Sequence, residues 1–208
     1  MKNLFILLIG SFILLLPITC YPQLPPPKNG NTYVIAHRGA HEGIPENSLP
    51  AYQKAIDLGC DFVEIDIRTT RDKQFVSVHN SSINAYVDGK SGNVKDMRLF
   101  IWGDDDENIS KVRQNCPNCF LMPDPGKESN LNAVLAKYQP KVVASGMKNC
   151  SLSFCKTVHE QEAIVFVDES KDNLEDLKLE WTKMIEWGID GIQTDKPKAL
   201  ISFLKNLN

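Results

Sequence analysis

The sequence predicts one α/β domain in which parallel strands, joined by helices, close into a barrel. Short apolar runs of strand length alternate with helical segments along the chain, and this alternation is typical of a parallel sheet. The number of units favours a closed barrel, with an open doubly wound sheet as the alternative. Polar residues follow several of the predicted strands, which is where parallel α/β folds carry their chemistry.

The predicted strands are short, and most are apolar or alternate apolar and charged residues. They are residues 33–36, 62–68, 75–78, 99–102, 119–122, 142–145, 163–168 and 189–194. The segment 75–78 is expected to return antiparallel after a turn, so seven strands remain for the barrel. Residues 80–98 are loop-like.

The first helix has the clearest boundaries. Residues 49–58 are predicted to be helical because Asn47 or Ser48 can cap the start, Pro50 lies in the first turn and Gly59 ends it. Further helices are predicted between the later strands, among them residues 107–115, 130–138 and 200–207.

The N-terminus has the pattern of a secretory signal. Lys2 precedes an apolar run from Leu4 to Pro17, which is short for a membrane-spanning helix. A buried core helix is the alternative. We expect three segments: a signal peptide at residues 1–20, a Pro-rich linker at 21–31 and a barrel domain at 32–208.

Export would place the protein in the periplasm or outside the cell. Lipid modification of Cys20 is an open alternative that would anchor it to a membrane. Export also permits disulfides. Cys116 and Cys119 form a C-x-x-C pattern that suits redox chemistry or metal binding, whereas buried thiols or one structural disulfide are the simpler interpretation.

The charge balance excludes one class of partner. The net charge is −3, the hydrophobic and charged fractions are 42% and 24%, and no Lys/Arg cluster stands out. This composition is globular and gives no footprint for nucleic acid. A small anionic substrate would need local positive groups.

Glu64 and Asp66 form the sharpest local signal. Residues two apart on a strand share a face, so both carboxylates would point into the barrel. A divalent cation such as Mg²⁺ or Ca²⁺ would compensate their charge. A solvated strand face is the alternative.

His79 can be placed by the geometry of a hairpin. If residues 72–73 form a two-residue turn, residue 71 pairs with 74 and residue 66 with 79. His79 would then lie beside Asp66, while His37 ends the neighbouring strand. Two histidines beside two carboxylates suit a general acid and a general base.

Several motifs occur together in a characteristic order. They are Ala36-His37-Arg38-Gly39, Pro45-Glu46-Asn47-Ser48, Val63-Glu64-Ile65-Asp66, Thr70-Arg71-Asp72 and Val78-His79-Asn80, followed by Trp187 to Asp195 and Pro197. The set resembles the glycerophosphodiester phosphodiesterase family, densely over residues 33–98 and recognisably over 99–207.

The resemblance implies a TIM-type barrel that hydrolyses glycerophosphodiesters to an alcohol and glycerol 3-phosphate with a divalent cation, commonly Ca²⁺ or Mg²⁺. It implies that His37 and His79 are the acid/base pair, that Arg38 contacts the phosphate and that Glu64 and Asp66 bind the metal. In the related mechanism the glycerol hydroxyl of the substrate attacks phosphorus, and water opens the cyclic intermediate.

Two departures from the family pattern stand out. Asn80 occupies the position where the family usually has Asp. After residues 80–98 the family continues through a strand with an acid-x-Lys motif, which supplies a third metal ligand and a phosphate-facing Lys. Here residues 97–99 run directly into the strand at 99–102. The count of seven strands instead of eight also indicates an incomplete barrel.

Four functional interpretations follow. The first is a working or weakened phosphodiesterase, and the second is a barrel that only binds phosphate esters. The third is a truncated reading frame of a full enzyme. The fourth is a lyase or isomerase of phosphodiesters with the same two-histidine site.

Overall fold

The computed structural model describes residues 24–69, 75–80, 114 and 121–207. The strands within these ranges are β1 (Tyr33–Ala36), β2 (Phe62–Val63), β3 (Ile67–Thr69), β4 (Phe75–Ser77), β5 (Val142–Gly146), β6 (Ile164–Asp168) and β7 (Gly191–Thr194). The α-helices are α1 (Leu49–Leu58), α2 (Leu131–Tyr138), α3 (Leu152–His159), α4 (Leu174–Glu186) and α5 (Pro197–Lys205). Short 3-10 helices cover Glu128–Asn130 and Met147–Asn149.

The sheet has the cyclic strand order of a barrel. Five strands pair in the order β2-β1-β7-β6-β5, and all four pairings are parallel. The first strand therefore lies beside the last, whereas a doubly wound sheet keeps its first and last strands apart. The predicted barrel architecture is confirmed, and β3 and β4 form the expected antiparallel hairpin.

The prediction of one continuous strand over residues 62–68 is wrong. β2 ends at Val63 and β3 begins at Ile67 in a separate sheet. The break arises because the backbone N–H of Asp66 donates to Oδ1 of Asn47, at 3.1 Å, instead of to a neighbouring strand.

Other predicted elements lie partly or wholly outside the described residues. These are the leader at 1–20, the strand at 99–102 and all of the helix at 107–115 except Gln114, which is helical. Of the predicted strand 119–122 only residues 121–122 are described, without strand pairing. The carbonyl of the next residue, Pro123, still accepts a hydrogen bond from the N–H of Ala144 at 3.0 Å, so the segment runs beside β5.

Helices α1 and α5 begin at residues that suit the start of a helix. Ser48 caps α1 by accepting from the N–H of Ala51, and Gly59 ends it at φ +81°, as predicted. Helix α5 begins at Pro197, three residues before the predicted start, because proline needs no hydrogen-bond partner in a first turn.

The interior has two apolar layers. Outside the sheet, the largest fully buried side chains come from helices α3 and α4, namely Phe154, Leu177, Trp181 and Met184. At the amino ends of the strands, the rings of Tyr33, Phe62 and Phe166 have centroids 5.5–5.8 Å apart. The aromatic cluster fills the barrel floor.

The segment before β1 is tied to the end of α1. The Nζ atom of Lys28 donates to the carbonyl of Cys60 at 2.8 Å, and the Asn29 amide donates to the carbonyl of Gly59 at 3.1 Å. A cation suits the negative end of a helix. Within the described part of the chain, no helix has the length and apolarity needed to cross a bilayer.

Replacement of Gly191 by alanine should destabilise the barrel floor. A Cβ atom there would lie 2.6 Å from Cδ1 of Phe166, whose ring is confined by Tyr33 and Phe62. We expect Gly191→Ala to lower the free energy of unfolding by about 1–3 kcal/mol in a denaturant titration. Gly146→Ala is the matched control, because nothing lies within 4 Å of its Cβ position. Equal stability of the two variants would contradict the packing.

Candidate active site

Two histidines share one carboxylate oxygen at the carboxyl ends of β1 and β7. His37 follows β1, and its N–H donates to the carbonyl of Thr194 at 3.1 Å. The Nδ1 atom of His37 lies 2.8 Å from Oδ1 of Asp195, and Nε2 of His41 lies 3.1 Å from the same oxygen. The pairing of the first and last strands thus brings these three side chains together.

The charges of this cluster support each other. Burial opposes ionisation of Asp195, but hydrogen bonds from His37 and His41 outweigh it and lower the pKa of the carboxyl. Burial likewise opposes protonation of His37, but the hydrogen bond and charge of Asp195 raise its pKa. An ionised carboxylate only accepts, so the hydrogen must reside on Nδ1 of His37 and on Nε2 of His41.

The chain reverses direction immediately after His37. Arg38 has a left-handed backbone with φ +54°, and its carbonyl accepts from the N–H of Asn47 at 2.9 Å. At Gly39 a Cβ atom would lie 2.8 Å from the backbone of Ala51. The His-Arg-Gly sequence therefore packs against α1 only with glycine in the third position.

The guanidinium of Arg38 lies between two carboxylates. One terminal nitrogen donates to Oε2 of Glu46 at 2.9 Å, and Nε lies 3.4 Å from Oδ2 of Asp66. That Nε atom is buried and has no hydrogen-bond partner among the described residues. The backbone N–H of Arg38 donates to Oε2 of Glu64 at 3.0 Å.

Asn47 holds Asp66 through two hydrogen bonds. Its amide donates to Oδ2 of Asp66 at 2.8 Å, while its Oδ1 accepts from the N–H of Asp66. The hydroxyl of Tyr52 also donates to Oδ1 of Asn47 at 3.2 Å and lies 2.5 Å from Oγ of Ser77. Asp66 is only 6% exposed, so these bonds fix a buried carboxylate.

The Glu64 and Asp66 pair suits a hard cation in part. Burial, followed by the charge of Asp66, raises the pKa of Glu64, and a divalent cation would relieve this crowding. Both side chains offer carboxylate oxygens, the ligands that Ca²⁺ and Mg²⁺ prefer. Within residues 24–69, 75–80 and 121–207, no group of three or more His, Cys, Asp or Glu could hold a metal. The described residues thus supply two ligands at most.

The predicted pairing of His79 is wrong by one residue. The hairpin pairs Ile67 with Ser77 and Thr69 with Phe75, so the same register sets residue 66 opposite residue 78. The predicted turn at 72–73 lies outside the described residues, but a two-residue turn there would place residue 66 opposite residue 79, one position away from the observed register. The carbonyl of His79 accepts from the Arg68 guanidinium, and its Nδ1 lies 3.1 Å from Oδ1 of Asn80. These contacts do not join His79 to His37.

Further acidic residues at the same end of the barrel were missed as site residues. Asp168 ends β6, and burial raises its pKa. Burial also raises the pKa of Glu169 to about 7, although its oxygens accept from the N–H of Asp195 and from Nε1 of Trp181. The positions of Asp168, Glu169 and Asp195 after strands were a usable signal, whereas no sequence pattern singled out His41.

The fold and site define a TIM-type barrel with a basic and acidic cluster after its first strand. A family model described as the glycerophosphoryl diester phosphodiesterase family matches residues 37–115. A glycerophosphodiester phosphodiesterase of Caldanaerobacter subterraneus is 40% identical over 68 residues, which are 33% of this chain and 28% of that protein. YhdW of Bacillus subtilis, provisionally named for the same activity, is 40% identical over 111 residues, which are 53% of this chain and 42% of YhdW.

A solved structure extends the likeness over most of the fold. The Oleispira antarctica phosphodiesterase in complex with its product sn-glycerol-3-phosphate gives a TM-score of 0.70 at 14% identity, covering 83% of this chain and 96% of that one. The chain thus resembles the glycerophosphodiester phosphodiesterase family in sequence over residues 37–115 and has the fold of this solved structure. The family is generally metal-dependent. The sequence match nevertheless spans less than half the length of either curated relative.

Replacement of Asp195 by asparagine should weaken folding in a pH-dependent way. The carboxyl pKa is lowered from 3.8 and the His37 pKa is raised from 6.5. The Asp195 contribution is lost as the pH falls below about 3.8, and the His37 contribution is lost as the pH rises above about 6.5. We expect the stability gap between wild type and Asp195→Asn to peak between these values. Because the Asp195 side chain is 46% exposed, the gap should be only about 1 kcal/mol.

Urea titrations between pH 3 and pH 9 measure this gap. Asp172→Asn is the control, since that exposed residue precedes α4 on the surface and should change stability by less than about 0.5 kcal/mol. A gap for Asp195→Asn that does not vary with pH would contradict the charge pairing.

Proposed function

We propose that this protein hydrolyses glycerophosphodiesters to an alcohol and glycerol 3-phosphate, using Ca²⁺ or Mg²⁺. The match of residues 37–115 to the family model and the names of the similar proteins support the proposal. The observation that carries it is the hydrogen bond between Nδ1 of His37 and Asp195, at the end of the barrel where Arg38, Glu64 and Asp66 also lie.

His37 is the group best prepared for proton transfer. With its hydrogen fixed on Nδ1, the neutral ring keeps a lone pair on Nε2 and can accept a proton from an attacking hydroxyl. The charge that develops on the ring is stabilised by Asp195, as in other histidine–carboxylate pairs. The same nitrogen can return the proton to a departing alkoxide.

Arg38 is the group proposed to contact the phosphate. A guanidinium fork matches phosphate geometry, and its side chain is 19% exposed. The carboxylates of Glu46 and Asp66 hold the guanidinium in place, so little side-chain entropy would be lost when a phosphate binds.

Glu64 and Asp66 would hold the cation through carboxylate oxygens. The cation would neutralise charge on the phosphate oxygens. The side-chain amide of Asn47 donates to one oxygen of Asp66, and the backbone N–H of Arg38 donates to one oxygen of Glu64. They orient the carboxylates whether or not a cation is bound. His79 is proposed as the second acid/base group by its motif, and its ring position relative to His37 carries no part of this argument.

A barrel that only binds phosphate esters is the second candidate. Two observations favour it. The sequence has no acid-x-Lys strand after residues 80–98, and the described residues supply no more than two cation ligands. Turnover distinguishes the two candidates.

Hydrolysis of glycerophosphocholine by the full-length protein tests the proposal. We expect release of glycerol 3-phosphate in Ca²⁺ or Mg²⁺ and loss of release in EDTA. The variant His37→Ala should hydrolyse the substrate at least about 100-fold more slowly than the wild type. His159→Ala is the matched control, because His159 bonds Asp190, which contacts the amino end of β6. A folded protein that binds glycerol 3-phosphate without turnover would favour the second candidate.

Export is proposed from the leader pattern of residues 1–20. Fractionation of cells that express the full-length chain tests it, and charged replacements within the apolar run, such as Leu8→Arg with Leu14→Arg, should keep the protein inside the cell. Cys20→Ser serves as the second variant, since it would release a lipid-anchored protein into the soluble exported fraction. Export that persists with the interrupted leader would contradict the proposal.

A further inference from the structure

Two cysteines that take no part in the candidate site meet at the start of α3. Sγ of Cys150 lies 3.7 Å from Sγ of Cys155. The residues are 6% and 1% exposed, respectively. Both belong to the loop and helix that follow β5, at the same end of the barrel as Asp168, which is opposite Gly146 in the β5–β6 pairing.

The contact is a consequence of how the helix begins. Ser151 is the N-cap of α3, and its side chain accepts from the N–H of Phe154 at 3.0 Å. Cys150 precedes the cap and Cys155 is the fourth helical residue. These are the two positions that touch in a hydrophobic staple. The helix cap therefore holds the sulfurs together whatever their oxidation state.

We propose that Cys150 and Cys155 are a site of disulfide formation that covalently closes the staple at the start of α3. Each thiol gives up its hydrogen and an Sγ–Sγ bond forms. The two protons and the two electrons pass to a disulfide-bearing oxidant, whose own S–S bond breaks to give two thiols. The bond closes a ring over residues 150–155.

The two sulfurs differ in a way that sets the order of the exchange. A hydrogen bond from Cys155 lowers the pKa of the Cys150 thiol, and the same contact with burial raises that of Cys155. Cys150 is also the more exposed of the two. Cys150 is therefore the thiol that attacks the oxidant, and Cys155 displaces the oxidant from it.

A metal site fits this pair poorly. Thiolate sites for zinc use four ligands, and the described residues offer no third His, Cys, Asp or Glu beside these two sulfurs. Cys60 is buried elsewhere in the core, with its pKa raised to about 11 by burial. It provides an internal control.

Peptide mapping separates the cysteines without further engineering. Cleavage after lysine and arginine places Cys150 and Cys155 together in residues 149–156, Cys60 alone in residues 55–68, and Cys116 with Cys119 in residues 114–127. The full-length protein is treated with oxidised glutathione or with a reductant, both as folded protein and during refolding from denaturant. It is then denatured, alkylated and digested.

After oxidation, the 149–156 peptide should be lighter by two hydrogens and should take no alkyl group. After reduction, the same peptide should carry two alkyl groups. The peptide 55–68 should be alkylated after reduction and should contain no internal bond in either sample. In Cys155→Ala, Cys150 should retain glutathione. If residues 149–156 keep two alkylatable thiols after oxidative refolding, the proposal is overturned.

A second measurement tests the effect of the bond on the fold. In a background with Cys116→Ser and Cys119→Ser, oxidation should raise Tm by about 5 °C, because a short ring restricts the unfolded chain. The double variant Cys150→Ala with Cys155→Ala keeps an apolar staple and should show no redox-dependent change. An equal shift in that variant would assign the effect to other thiols and contradict the proposal.

Discussion

Pairing of the first strand with the last is the constraint on which the site depends. β1 runs parallel to β7 from Tyr33 opposite Gly191 to Ala36 opposite Thr194. The next residue on each side is then His37 and Asp195. A shift of one residue in this register would turn every side chain to the other face of the sheet and would separate the imidazole from its carboxylate. The floor of aromatic rings and the small Gly191 between them fix that register from the opposite end.

The site places opposite charges in alternation. Asp195 lies between two imidazoles, and the guanidinium of Arg38 lies between Glu46 and Asp66. Each buried or half-buried charge thereby has a partner, which removes most of the cost of desolvation. Glu64, Asp168 and Glu169 are exceptions, because burial raises the pKa of each carboxyl. The pKa of Glu64 is raised further by the negative charge of Asp66. The unbalanced charge of Glu64 lies where the family motif leads us to propose a cation.

Secondary structure was predictable from the sequence where its signals lie in neighbouring residues. The cap, first-turn proline and terminal glycine of α1 specified that helix within one residue at each end. The parallel strands followed from short apolar runs. The break after Val63 was not predictable, because it depends on Asn47, distant in sequence, taking the N–H of Asp66. The hairpin register was missed because Asp72-Lys73 is a weak turn signal, which does not fix how the two strands pair. The sharing of Asp195 by His41 required three-dimensional placement and had no sequence counterpart.

Asn47 also limits how this site can vary in sequence. Its backbone has φ +53°, a conformation that glycine, asparagine and aspartate tolerate best. Glycine could not reach Asp66, and aspartate would present a second negative charge to that buried carboxylate. Only an amide side chain of this length both donates to the carboxylate and accepts from the N–H of Asp66. Three requirements thus select asparagine at this position: a positive φ angle, a side chain long enough to reach Asp66, and the ability both to donate and to accept a hydrogen bond. The residue is constrained in this way although it carries no charge and transfers no proton.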